Sequence, residues 1–292
     1  MRSSMPARTG ETGIRVQHLP VQGTLRESVS ALLAVEADAS GPFPLAVAPH
    51  DSLVLSVSLG RSAGPLDEKG GEHGYNTRLT GIRHWTGSYT GPGNCISLFA
   101  LLTPLGSVRV LESQQLEGAP RIRARLADLL DRRLTRGLES DLALAPGLDG
   151  KLQRLAAWLE TRLTANRQHI GAALRAGRAA MRLCGEPRIA IDALAAEQCV
   201  SRRQLERDFG RWVGTSPRHL AQVARVQAVS RKARSGASLA DIAADVGFAD
   251  QAHMSRVVRQ LTGMTPQRFV RSQSSPIAAA FRAATGGGTV YL

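Results

Sequence analysis

Between Ile191 and Phe269 the sequence states one pattern twice. Leu194-Ala195-Ala196 returns as Ile242-Ala243-Ala244, an offset of 48, while Leu205, Arg207, Gly214, Ser216-Pro217 and Leu220 return as Met254, Arg256, Gly263, Thr265-Pro266 and Phe269, an offset of 49. So short a repeat is a single supersecondary unit. The segment is therefore constrained to two copies of one small helical device, with one extra residue in the turn of the second.

Each copy reads as helix, tight turn, helix. In the first, Ile191, Leu194 and Ala195 share one helical face, and Ser201-Arg-Arg-Gln204 has the spacing of a capping box that starts a new helix. That helix turns Leu205, Phe209 and Trp212 inward and leaves Arg203, Glu206, Arg207 and Gly210 outward. In the second copy Ser238 to Asp241 caps the first helix, Gly247 supplies the turn and Asp250 caps the next helix, whose outward set is Ala252, Ser255, Arg256 and Arg259. Ser216-Pro217 places a cap before a proline at the first helical position, so a joining helix can run to about Arg234 before Ser235-Gly236 ends it. Its eighteen residues span about 27 Å, near the ~34 Å between successive major-groove faces. A helix-turn-helix puts its second helix in the major groove. One such pattern describes many helical hairpins; two in register, joined by a helix, describe far fewer things.

These residues resemble the AraC/XylS family of transcriptional regulators. The resemblance covers Ile191 to Arg271 and is carried by Ser201, Leu205, Arg207 and Phe209, by Gly214, Ser216 and Pro217, by Arg225 on the joining helix, by Ile242-Ala243 and Gly247-Phe248-Ala249-Asp250-Gln251, and by Arg256, Gly263, Thr265 and Pro266. Three positions depart from the pattern: Cys199 stands where the first turn often has a small flexible residue, Met254 replaces an aromatic or leucine, and Val258 replaces a phenylalanine. All three keep an apolar or small character. The resemblance implies a bacterial, cytoplasmic transcription regulator, activator or repressor, that is not an enzyme. Its implied partner is double-stranded DNA, with RNA polymerase, a small-molecule effector and a second copy of the chain left open.

Charge supports a polyanionic partner. From Asn166 onward lie 19 of the 37 Lys and Arg but only 8 of the 24 acids, a net +11 of the chain's +13. A merely solvated surface would mix the signs more evenly, whereas a phosphate-binding surface concentrates cations. A basic membrane-surface helix needs aromatic anchors on a broad apolar face, and only 4% of residues are aromatic. Cys95, Cys184 and Cys199 lack CxxC spacing, which disfavours a disulfide framework or zinc site. No run of about 18 apolar residues suggests a transmembrane helix, and Met1 to Gly13 does not read as a signal peptide.

The front of the chain reads as β-rich. Leu53, Leu55, Val57 and Leu59 alternate with smaller or polar residues, and Leu79 to Tyr89 and Asn94 to Leu102 are further extended runs joined by Thr90-Gly-Pro-Gly93. Gly60 to Gly74 reads as a loop. Helical character starts at Thr103-Pro104, followed by three apolar stripes: Ile122, Leu126, Leu129, Leu130 and Leu134; Leu148, Leu152, Leu155, Leu159 and Leu163; and Ile170, Ala173, Leu174 and Met181, with Gly177 as a gap. Such stripes are most often core, and a dimer face is the alternative for the second.

The fold class expected is α+β. Residues 1–20 form a flexible N-terminus, 21–115 a β-rich regulatory domain that is cupin-like if the resemblance extends to it, and 116–165 a helical connector open to a role in dimerisation. Residues 166–271 form an all-α DNA-binding domain with two helix-turn-helix units joined by a linker helix, and 272–292 a tail. Base-contact candidates are Arg203, Glu206 and Arg207 on the first reader helix and Gln251, His253, Ser255 and Arg256 on the second. Arginine can bridge guanine O6 and N7, and glutamate can accept from a cytosine amino group. His253 could equally be a packed histidine. Arg202, Arg211, Arg218, Arg259 and Arg268 are candidates for phosphate contacts, which position without reading sequence. No cofactor and no metal site is expected, since His50, His73 and His84 are isolated singles and no phosphate-cradling glycine loop ends in Lys-Ser or Lys-Thr. The competing readings are a non-specific architectural DNA binder and a metal-binding or enzymatic cupin-like sensor fused to a DNA module.

Overall fold

Apolar strands from the front third of the chain build an antiparallel sheet. The computed structural model describes residues 7–9, 14–37, 43–47, 50–51, 53–59, 76–81, 87–91, 95–111, 123–165, 171–233 and 236–272. The expected loop at 60–74, the centre of the 90–93 turn, His73, His84, Ile170 and the tail beyond 272 lie outside the described residues. Strands β1 (Ala7–Thr9), β2 (Ile14–Leu19), β3 (Val29–Ala37), β5 (Leu53–Leu59), β6 (Asn76–Thr80), β8 (Cys95–Leu102) and β9 (Arg123–Arg125) form one sheet in the order β1-β2-β3-β8-β5-β6-β9. Strands β4 (Phe43–Val47) and β7 (Gly87–Gly91) pair as a separate ribbon. Register aligns Leu32, Ala100 and Leu55 in one cross-strand row and Ala34, Leu98 and Val57 in the next, all buried. A one-residue slip would turn these rows to the other face. No ladder joins β1 to β9 among the described residues, so the sheet as described is open.

Two sequence expectations are corrected at the ends of this sheet. Residues 14–19, expected within a flexible lead-in, are strand β2, because pairing with β3 supplies backbone partners and buries Val16. The first apolar stripe is not one helix. Residues 123–125 pair with β6, Leu126–Leu129 make a short helix of four residues, and Asp131 caps a new helix by accepting from the Arg133 N–H at 2.8 Å.

Helix α1 (Pro104–Val110) leaves β8 directly; Thr103 caps it, accepting from the Gly106 N–H at 2.9 Å and donating to the Glu27 carbonyl at 2.7 Å. In chain order α2 (Leu126–Leu129), α3 (Arg132–Leu144), α4 (Gly147–Ala165) and α5 (Gly171–Gly185) follow. The second stripe settles on α4: Leu148, Leu152, Leu155 and Leu159 are buried within this chain's own core, where α4 lies against β2 and β3. That stripe is core and is not available as a dimer face. Lys151 beside it is buried and donates to the Leu142 and Ala145 carbonyls at 2.6 and 2.9 Å, satisfying the C-terminal end of α3.

The third stripe is displaced from its expected face. Helix α5 buries Ala173, Ala176, Gly177, Ala180 and Leu183, while Leu174 and Met181 are only half-buried. The cause is close approach to α1: a Cβ at Gly177 would lie 3.1 Å from Leu105 Cα. Small residues select the face that can meet another backbone. No helix of the described residues is long and apolar enough to cross a membrane.

Candidate nucleic-acid interface

The repeat folds as two helix-turn-helix units. The first comprises α6 (Ile191–Glu197) and α7 (Arg202–Asp208), which continues as a π-helical turn through Phe209–Val213; the second comprises α9 (Leu239–Val246) and α10 (Gln251–Thr262). The joining helix α8 (Pro217–Lys232) links them, and α11 (Pro266–Ser272) closes the second. Among the described residues α8 ends about two residues short of the expected Arg234, and its 16 residues span about 24 Å.

Caps fall where the sequence places them. Ser201 accepts from the Gln204 N–H, Ser216 from the His219 N–H and Ser238 from the Asp241 N–H, each at 3.2 Å, and Asp250 accepts from the His253 N–H at 2.6 Å. The first box is one-sided, since the Gln204 side chain donates instead to Asp208 at 2.7 Å. The extra residue of the second unit is also located. Cys199 (φ 54°) and Gly247 (φ 89°), 48 apart, are the left-handed turn residues, whereas the N-caps Ser201 and Asp250 are 49 apart. One more residue therefore separates turn from cap in the second unit. Both reader helices end at a left-handed glycine, Gly214 and Gly263.

The inner face of the first reader helix is the one expected, Leu205, Phe209 and Trp212, and the second turns in Met254, Val258 and Leu261; all six are buried. Asp208 joins the first face, held by Arg175 of α5, whose Nε and Nη2 donate to its Oδ2 at 3.0 and 2.6 Å. Sequence reasoning missed this pair. Its signal was present, because Asp208 sits i+3 from Leu205 and i−4 from Trp212, on the apolar face where a carboxylate needs a partner.

Arg203, Glu206 and Arg207 are exposed on α7, and Gln251 and Arg256 on α10, with His253 and Ser255 half-buried. Arg202, Arg211, Arg218, Arg259 and Arg268 are exposed around them. Among the described residues Arg203, Arg207, Arg218, Arg256, Arg259 and Arg268 have no carboxylate partner. Arg202 does, lying 3.0 Å from Glu206 and 3.4 Å from Asp192. Glu206 first, then Asp192, raises its guanidinium further above its usual range. Arg202 and Glu206 thus engage each other before any partner arrives. Arg211 lies over the Trp212 ring, 4.7 Å from its centroid.

His253 faces its own turn: Nδ1 accepts from the Ala249 N–H at 3.4 Å and the ring meets Phe248 edge-on at 5.5 Å. Its Nε2 is left for other contacts, and a neutral ring would carry its proton there. Ser255 donates to the Gln251 carbonyl at 2.8 Å. Among the described residues no group of three or more His, Cys, Asp or Glu could hold a metal ion.

Comparison with known proteins follows this geometry. Residues 194–272 match a family model described as a helix-turn-helix domain. A solved transcriptional regulator with an AraC-type DNA-binding domain from Chromobacterium violaceum is 25% identical, covering 36% of this chain and 97% of that one, with a TM-score of 0.34. ToxT from Vibrio cholerae is 12% identical, covering 81% of this chain and 96% of that one, with a TM-score of 0.45. An unsaturated fatty acid bound ToxT is 11% identical, covering 90% and 97%, with a TM-score of 0.37. No curated protein matches the chain.

Proposed function

We propose, from the helix-turn-helix domain model that residues 194–272 match and from the AraC/XylS-like motifs they carry, that the chain is a DNA-binding transcription regulator that is sequence-specific and reads two successive major grooves. The carrying observation is the repeated pair Arg207 and Arg256. These arginines lie 49 residues apart at equivalent positions on α7 and α10, both exposed and both without a carboxylate partner among the described residues. An unpaired guanidinium on a reader helix retains its fork for guanine O6 and N7.

In this reading Arg203, Glu206, Gln251, His253 and Ser255 complete the base contacts, and Arg202, Arg211, Arg218, Arg259 and Arg268 hold phosphates. Glu206 reads a cytosine amino group only after Arg202 turns to the backbone, so the two contacts form together. The front sheet modulates binding through a continuous apolar core that runs from β3, β5 and β8 through α4 and α5 into the first unit.

Selection from a random duplex pool, followed by titration against scrambled DNA at ~0.15 M salt, tests the reading. Enrichment of a site about two helical turns long, bound at least ~1000-fold tighter than scrambled duplex, supports it. Equal, strongly salt-dependent binding to all duplexes would make the protein an architectural binder instead.

A further inference from the structure

The buried apolar residues of the described chain divide into two clusters, and the division falls inside the joining helix. Leu220 and Ala221 of α8 belong to the core that runs from the front sheet through α5 and the first unit. Val223, Val226 and Val229 belong to a separate core with Ile242, Phe248, Met254, Val258 and Phe269 of the second unit. The first reader helix is therefore fixed to the front domain by apolar packing, whereas the second reader rests on a body of its own.

Arg225 carries one polar and one aromatic contact across this division. Half-buried on α8, it donates from Nε to the Pro187 carbonyl at 3.1 Å, in the loop that leads into the first unit. Its guanidinium carbon lies 5.9 Å from the centroid of the Phe248 ring, in the turn of the second unit. The neighbouring Arg188 presses on the same turn: a Cβ at Gly247 would come within 2.6 Å of Arg188 Cγ. Burial, and then the charge of Arg188, lowers the Arg225 guanidinium from its usual value. A cation carrying that burden is held by the two groups it joins, a carbonyl of one unit and a ring face of the other.

We infer that Arg225 is a positioning residue that fixes the angle between the two reader helices, and so sets the half-site spacing the protein accepts. Resting on the two-groove reading above, the inference concerns neither base nor phosphate contact. Arg225 joins the units and reads nothing itself. Phe248 supplies the second unit's side of the clamp, and lysine, which lacks the planar fork, cannot bond the carbonyl and lie over the ring together.

The test uses the full chain and the selected duplex at its native half-site separation, at that separation plus or minus one base pair, and as each half-site alone. Wild type should lose about tenfold or more in affinity when the spacing changes. Arg225→Met should bind each half-site within about twofold of wild type, lose about tenfold on the native duplex, and discriminate little between spacings. Phe248→Leu keeps an apolar side chain in the second core, and should show the same flattening to a lesser degree. Arg225→Lys should recover part of the discrimination.

If both Arg225→Met and Phe248→Leu keep the wild-type spacing profile, the inference is overturned. It is overturned equally if half-site and full-site affinities fall in proportion, which marks a general folding defect. A wild type that binds specifically but ignores spacing refutes the clamp and the two-groove geometry together. A wild type with no specific site refutes the proposed function itself.

Discussion

Asp208→Ala and Arg175→Met break the same ion pair from opposite sides, and the structure gives them different costs. Removing one partner of a buried pair costs about 3–5 kcal/mol, because the other charge is stranded. The Arg175 side chain is 26% exposed and that of Asp208 5%. Deleting the carboxylate leaves a guanidinium that water can reach, so Asp208→Ala falls at or below the low end, about 2–3 kcal/mol. Deleting the arginine leaves a carboxylate with Gln204 as its remaining side-chain donor among the described residues, in a position water scarcely enters, so Arg175→Met costs about 3–5 kcal/mol. The double variant Arg175→Met/Asp208→Leu replaces both charges by apolar groups and should cost less than either single change. Urea unfolding of the transition that contains the first core measures all three. Because Asp208 ties α7 to α5, affinity for the half-site read by α7 should fall while the other half-site is unaffected. Equal costs for the single changes, or additivity in the double variant, would refute the assignment of the pair as buried and coupled.

Arg207→Ala should cost about 1–3 kcal/mol of binding at one half-site, and Arg256→Ala the same at the other; competition titrations with each half-site mutated in turn separate them. Cys199→Gly should stabilise the first unit by about 0.5–1 kcal/mol, since it relieves a left-handed cysteine at the cost of a more flexible unfolded chain; a lowered thermal midpoint would contradict this. Lys151→Met should destabilise by about 1.5–3 kcal/mol by leaving two helix-end carbonyls without their donor. Burial lowers the Lys151 pKa, so wild-type stability should receive a rising contribution between that lowered value and the ordinary lysine value near ~10.4, where only the unfolded chain keeps the proton. Lys151→Met should lack that contribution in urea titrations across the alkaline range.

The helix-turn-helix units were legible because their signals are local. Caps at Ser201, Ser216, Ser238 and Asp250 and the inward spacing of Leu205, Phe209 and Trp212 depend on neighbours within a few residues, and the structure reproduces them. Strands β2 and β9 were not legible, since six and three residues acquire strand identity only from β3 and β6 beside them. The α5 stripe was misread for a related reason: Ala176 and Ala180 outrank Leu174 and Met181 only because α1 approaches at Gly177. Arg225 stood in the sequence as a matching position without a role. Pro187 and Phe248, which give it one, lie 38 residues before and 23 after it.

Guanine N7 methylation protection on the selected duplex tests the central claim most directly. The account predicts two protected clusters in the major groove, about one helical turn apart on one face. Arg207→Ala should abolish protection within one cluster and Arg256→Ala within the other. A single cluster, or two that respond alike to both substitutions, would contradict a protein that reads each groove with its own helix.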